Sequence, residues 1–388
     1  MRNQLSVLSG TNRIIKAGGW LGMKAVILNS RQGIRPAGND PWVINSRKAV
    51  KHAISCNCSI LASTGMNTWE IALCLASCNK AGVKIYLPVD KDQSVEKLKD
   101  DTIRQYHLEA LSCDWEIVEA YESEDCLLPQ LRDKAIIEDA DILYPVSIRP
   151  GGNLERLIKQ ARDKGKEIID EFTAEYQDQE TGHRCRTNID RSRLENRIDD
   201  YLQNYLIHWT KASNTAWPGE SMYDYYHAIV NSGAVYPRGG LQTLIKILTD
   251  QKLLASSRHY RKAYPAAAFS TLLPSEAVDL MKWRARYHEM TIEPYGIAIH
   301  KDYAETLGIK KVFYGNAEML EYLEEENRPY FQNIGTRGYW MPEKEYRRIG
   351  DIDLAFVPSD RLAVIVWKPD EIEKVRGIYK GRIFSLYK

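Results

Sequence analysis

The sequence carries almost no net charge: 53 Lys and Arg stand against 52 Asp and Glu, leaving +1 over 388 residues. A protein that coats nucleic acid by bulk charge needs a surplus of cations, so the balance argues against that class while leaving room for a local basic groove. Cysteine is sparse and unpatterned. Seven residues, an odd number without a repeated metal spacing, fit a reduced interior better than a secreted disulfide scaffold. Cys56 and Cys58 lack the spacing of a zinc or redox pair, and His183 and Cys185 have no second pair of ligands, so no metal site is expected. Residues 1–23 contain no apolar core of the kind a signal peptide needs, and no run approaches the roughly 18 apolar residues of a membrane span. The expectation is a soluble, cytoplasmic chain without a membrane partner. A GxGxxG fingerprint and a Walker loop are also missing.

What is present is an alternation of short apolar runs and amphipathic stretches. The chain is 44% hydrophobic and 27% charged, long enough for two domains. Residues 142–148 form an apolar run that Arg149, Pro150, Gly151 and Gly152 break with a tight turn. Asn153 is a fair N-cap, and Leu154, Leu157, Ile158 and Ala161 follow at helical spacing before a strand at 167–169. This is half of a nucleotide-binding βαβ unit, with the helix N-terminus as an anion site. Upstream, the spacing predicts strands at 25–28, 59–62 and 83–87 and helices at 42–55 and 69–79. Such an alternation makes an α/β fold, a Rossmann-like parallel sheet covered on both faces.

In an open α/β sheet the ligand crevice lies at the carboxyl ends of the strands. Three loops should meet there: Asn29, Ser30 and Arg31; Ser63, Thr64, Gly65 and Asn67; and Arg149, Gly151, Gly152 and Asn153. Together they supply hydroxyls, main-chain amides and two arginines, the groups that phosphate recognition uses. Glu70 follows Gly65 closely and either caps its helix or bonds a ribose.

The stretches VILNSR at 26–31, STG at 63–65, RDKAII at 132–137 and GGNL at 151–154 resemble the DNA-processing family DprA/Smf and, more broadly, the SLOG superfamily of Rossmann-like nucleotide sensors. The resemblance covers about residues 24–172. It implies a nucleotide or nucleic-acid site and adds Arg132 to the ligand positions. The superfamily includes the LOG phosphoribohydrolases, whose resemblance implies that Glu70 or Glu155 assists cleavage of an N-glycosidic bond. The long loop at 32–41 and Asn29, where glycine is usual, depart from the DprA pattern.

Residues 173–200 are dense in charge and read as a linker, set at 177–200 between a first domain at 1–176 and a second α+β domain at 201–388. In the second domain, strands are expected at 206–210, 266–271, 295–300, 311–314 and 362–367, with an amphipathic helix through Leu241, Leu244, Ile245 and Leu248. Residues 319–326 read as a solvated acidic helix, and 258–262 as a basic patch. The order HWT at 208–210, FS at 269–270 and EKEYR at 343–347 resembles the AbiGi-type abortive-infection domain and, more distantly, DarT-like ADP-ribosyltransferases. That resemblance implies His208, Ser270 and Glu345 as catalytic residues acting on NAD.

The sequence thus suggests a nucleotide-sensing antiviral-defence protein, with a DprA-like DNA-binding protein and a nucleotide N-glycosidase as alternatives. No permanently bound cofactor is expected. The partner is a nucleotide or NAD-derived small molecule, with nucleic acid as a second class, and the chain is expected to self-associate.

Overall fold

A computed structural model describes residues 22–89, 93–119, 128–177, 183–256, 264–334 and 343–388. The basic patch at 258–262 and the stretch at 1–21 lie outside those residues. The chain divides into two units. The first comprises residues 1–32, 38–178 and 221–230, and the second residues 33–37, 179–220 and 231–388.

The first unit runs β1 (Lys24–Asn29), α1 (Pro41–Ser55), β2 (Ser59–Ser63), α2 (Asn67–Cys78), β3 (Val83–Val89), α3 (Val95–Tyr106), β4 (Cys113–Glu119), α4 (Leu128–Asp139), β5 (Ile142–Ser147), α5 (Asn153–Asp163) and β6 (Glu167–Ile168). The sheet is parallel throughout, in the order β4-β3-β2-β1-β5-β6. Ala25, Val26, Ile27 and Leu28 are each at most 1% exposed, because helices cover both faces of the central strand. On one face Val26, Leu28 and Leu143 pack with Trp69, Ile136, Leu154 and Ile158, so α5 docks through the apolar stripe read from its spacing. Burying side chains of this kind contributes about 1.5–3 kcal/mol each. The fold class is therefore α/β and Rossmann-like, as the alternation of elements implied.

Three features of this unit were not read from the sequence. The pair α3 and β4 extends the sheet on one side; β4 sits at the edge and alternates half-buried with exposed residues, which leaves little apolar signal. α5 is capped by Gly152, and Asn153 is its first helical residue rather than its N-cap. α7 (Met222–Val230) falls within the stretch expected as the second domain, yet packs on α2 and α3.

In the second unit α6 (Arg197–Leu202), β7 (Tyr205–Trp209), α8 (Gly240–Asp250), β8 (Lys252–Leu253) and β9 (Ala266–Ser270) precede α9 (Pro274–Ala277). Then come β10 (Trp283–Arg284), β11 (Glu289–Met290), β12 (Gly296–His300), α10 (Lys301–Thr306), β13 (Lys310–Lys311), β14 (Phe313–Gly315) and β15 (Phe331–Asn333). The chain closes with β16 (Glu345–Ile349), β17 (Ile352–Asp353), β18 (Leu362–Val366), α11 (Ile372–Arg376) and β19 (Arg382–Ser385). A mixed seven-stranded sheet has the order β13-β16-β9-β7-β12-β18-β19. One face packs against α8, α10 and α11 through Leu244, Ala304 and Val375. The other packs against α6 and α9 through Ile198, Leu202 and Ala277. This is an α+β arrangement.

Two expectations change here. The stretch at 177–200 is not a plain linker: Leu194 and Ile198 are 8% and 3% exposed and belong to the second core. The acidic stretch near 319–326 is a short 3-10 turn, Ala317–Tyr322, rather than an α-helix.

Candidate functional site

The strand order decides where a ligand can enter the first unit. β1 pairs with β2 on one side and with β5 on the other, so the connections leaving β1 and β5 depart in opposite directions and open a crevice between their carboxyl ends. Two of the three predicted loops begin there. They are hydrogen-bonded to each other: the Ser30 amide donates to the Ser147 carbonyl at 2.8 Å, and the Arg149 amide donates to Ser30 Oγ at 2.9 Å. Gln32 Nε2 donates to Ser147 Oγ at 3.1 Å, and the Tyr176 hydroxyl donates to the Arg31 carbonyl at 3.2 Å. Arg31 and Arg149 themselves are exposed.

Gly151 has φ +71°, a left-handed conformation that glycine adopts without strain, and this turns the chain from β5 into α5. Its amide donates to Glu155 Oε2 at 2.8 Å, and the Gly152 amide donates to the Arg149 carbonyl at 3.1 Å. The two glycine amides are thus engaged within the turn instead of pointing at a ligand. The cap residue, Gly152, has no side chain to accept the first amides of α5, and Asn153 Nδ2 is buried without a hydrogen-bond partner. The start of α5, one step beyond the glycines, is thus left without a side-chain cap.

The third loop follows β2, on the same edge of the parallel sheet. Several residues expected to face a ligand here are engaged inside the protein. Ser63 is fully buried, and its Oγ donates to the Tyr86 carbonyl at 2.6 Å. Asn29, at the end of β1, turns inward, and its Nδ2 donates to Ser46 Oγ at 3.0 Å. Arg132 is 4% exposed and lies over the Trp69 ring at 5.5 Å. Its guanidinium donates to Asp133 Oδ1 at 3.0 and 2.8 Å, and at 3.4 Å to the carbonyl of Thr64, whose own side chain is half-buried. Burial raises the Asp133 carboxyl above its ordinary range, and Arg132 pulls the other way.

Glu70 is held on both oxygens. Oε1 accepts the Gly65 amide at 3.0 Å, which pins the glycine at φ +84°, and Oε2 accepts the Tyr226 hydroxyl. Burial and the Glu70 carboxylate drive the Tyr226 phenol well above its usual range. Glu70 thus braces its loop, and Asn67 opens α2 just behind it. Tyr226 was missed by sequence reasoning because it joins the first unit from 156 residues away. Of the charged residues expected at the site, Arg31 and Arg149 are exposed at the strand ends, whereas Arg132 is buried.

In the second unit the expected catalytic trio does not converge. Glu345 is directly opposite Ser270, and Ser270 directly opposite Ile207, so these three share one face of the sheet. His208, one residue on, projects from the other face, where its ring meets Phe269 at 5.7 Å and its Nδ1 lies 2.7 Å from the Ala268 carbonyl. Burial lowers the His208 pKa, and the Ala268 carbonyl works against that. Ser270 Oγ donates to the Glu343 carbonyl at 2.5 Å. Glu345, 7% exposed, receives Arg347 Nε and Nη2 at 2.8 and 3.0 Å. That bidentate pair is a buried structural contact.

Two other carboxyl groups of this unit carry a pH signature. Glu293 accepts the Ala212 and Gly240 amides at 2.7 and 3.0 Å, and burial still pushes it up to about 7. Glu343 is also raised to about 7, by burial first and then by the nearby Glu345. Each keeps its proton in the fold at a pH where the unfolded chain has lost it, so the second unit loses stability as pH rises from about 4.5 to about 7. Thermal melts across that window should show the decline, and Glu293→Gln should flatten it.

No family model and no curated protein matches the sequence. Over 38% of its length the chain is similar to the structure of DNA processing protein A (DprA) from Streptococcus pneumoniae, at 15% identity and a TM-score of 0.27. A second similarity, again over 38% of the chain, is to DNA processing protein A from Helicobacter pylori, described for its single-stranded DNA binding mode, at 13% identity and a TM-score of 0.27. The chain spans about half of the first protein (49%) and 63% of the second.

Proposed function

We propose that the first unit binds a phosphorylated nucleotide between the carboxyl ends of β1 and β5, and that the protein is a nucleotide sensor whose second unit responds. The observation that carries the reading is the strand order, with β1 held between β2 and β5 and the Ser30 and Arg149 loops bonded across the crevice. Two exposed arginines and a helix start without a side-chain cap give that crevice the donors a phosphate needs. The role of the second unit as an antiviral effector rests on its AbiGi-type resemblance. The geometry lends no support to transferase chemistry through His208, Ser270 and Glu345 acting together. An N-glycosidase would have to work from Glu155, since both Glu70 oxygens are occupied.

The test is calorimetric titration of the full chain against mononucleotides, NAD-derived nucleotides and a single-stranded oligonucleotide, preceded by mass spectrometry of small molecules that co-purify. Saturable binding of a nucleotide at one site per chain is the expected result. Tight binding of the oligonucleotide alone would replace the sensor with a DNA-binding protein, and no binding in any arm would remove the proposal.

A further inference from the structure

Cys78 is the last residue of α2 and is exposed, whereas Cys74, one helical turn earlier, is buried. The two thiols are close enough for each to shift the acidity of the other. Cys78 Sγ also lies 3.4 Å from the Tyr223 hydroxyl on α7, while Cys74 Sγ reaches the Tyr223 carbonyl at 3.8 Å. The Tyr223 ring stacks between His107, at 4.6 Å, and His227, at 5.4 Å. Beside this cluster is a cavity of about 240 Å³ lined by Cys78, Lys80, His107, Glu109 and Tyr223 among others. A nucleophilic sulfur, a phenol donor, an imidazole and a lysine therefore share one opening large enough for a small molecule, with a second imidazole, His227, stacked on the phenol ring.

We propose that Cys78 is a site of oxidation by small hydroperoxides, with Cys74 as the resolving thiol. The Cys78 thiolate attacks one peroxide oxygen and the O–O bond breaks. The departing alkoxide or hydroxide takes up the proton that the thiol gave up, so the peroxide is reduced to alcohol or water and the sulfur becomes a sulfenic acid. The Cys74 sulfur then attacks the Cys78 sulfur, the S–O bond breaks, and hydroxide leaves as water with the Cys74 proton as the disulfide forms. The Tyr223 hydroxyl can donate to the thiolate at the distance seen.

Electrostatics agree with this geometry. The neighbouring Cys74 thiol lowers the Cys78 thiol to about 6, with Tyr223 and His227 acting the same way and burial opposing them; Cys78 in turn, together with burial, raises Cys74. Of the carboxylates nearby, Asp224 raises Cys74 and Tyr223, and Glu109 lines the cavity. Burial also raises Cys58 and Cys113 to about 11 and Cys185 to about 12. Cys56 is exposed and its Sγ lies 3.9 Å from His52 Nδ1, which makes it the internal comparison.

The full-length reduced protein would be treated with tert-butyl hydroperoxide at neutral pH and each cysteine followed by differential alkylation and fragment mass spectrometry. Cys78 should be consumed about tenfold faster than Cys56 and end in a disulfide with Cys74. In Cys74→Ser the Cys78 sulfenic acid should accumulate and be captured by dimedone. Tyr223→Phe keeps the ring stack and should slow Cys78 several-fold without changing Cys56. Equal rates for Cys78 and Cys56, or no effect of Tyr223→Phe, would overturn the site. Fast oxidation without a Cys74 disulfide would overturn the resolving role.

Discussion

Replacing Arg31 and Arg149 together by alanine is expected to weaken binding of a phosphorylated nucleotide about a hundredfold or more, with little change in the stability of the first unit. Both side chains are exposed at the β1 and β5 ends, whereas the loops are held by the Ser30 amide, the Ser147 carbonyl and Ser30 Oγ, none of which the substitutions touch. A hydrogen bond to a charged group contributes roughly 1.5–3 kcal/mol, and every 1.4 kcal/mol is about tenfold in affinity. Calorimetry with the nucleotide found by the panel measures the loss; affinity unchanged in the double variant would place the ligand elsewhere. Gly152→Asp is the poorer probe, because a Cβ there would lie 2.9 Å from the Arg149 carbonyl oxygen. Its effect would report a distorted turn as much as a repelled phosphate.

Arg347→Ala should cost the second unit about 3–5 kcal/mol, because it leaves the Glu345 carboxylate buried without its counter-ion. The same change also frees the Pro329 carbonyl and Gln332 Oε1, which Arg347 holds at 3.0 and 2.6 Å. Glu345→Gln retains an acceptor for Arg347 and should destabilise less. Denaturant unfolding of the full chain distinguishes the two variants. If Glu345 instead stabilised charge on a nicotinamide ribose, Glu345→Gln would lower NAD turnover by roughly 10²–10³ with stability nearly intact. That outcome would restore the transferase reading which the sheet register argues against.

The sequence by itself determined the local elements of the first unit. Buried strands, helical spacing and the glycine turn are set within a few residues, so β1, β2, β5 and α5 were legible to within a residue or two. It did not reveal β4, whose half-exposed edge residues carry little apolar signal, and although α3 has Val95, Leu98, Thr102, Ile103 and Tyr106 at helical spacing behind a Ser94 cap, that helix was not among the expected elements.

Tertiary structure decided which of the expected site residues face outward. The Ser63 hydroxyl faces β3, Asn29 faces α1, and Arg132 lies beneath the Thr64 loop, all through contacts between distant parts of the chain. The clearest cases are Glu70 and His208. The partner of Glu70 is Tyr226, from a helix far along the chain that folds into the first unit, and no local pattern announces it. His208 is separated from Ser270 and Glu345 by the register of β7 on β9, where Ile207 pairs with Ser270. A shift of one residue would have put all three on one face. Side-chain period along a strand is local, but the face a residue shares with its neighbours depends on strand pairing, which is fixed only when remote segments meet.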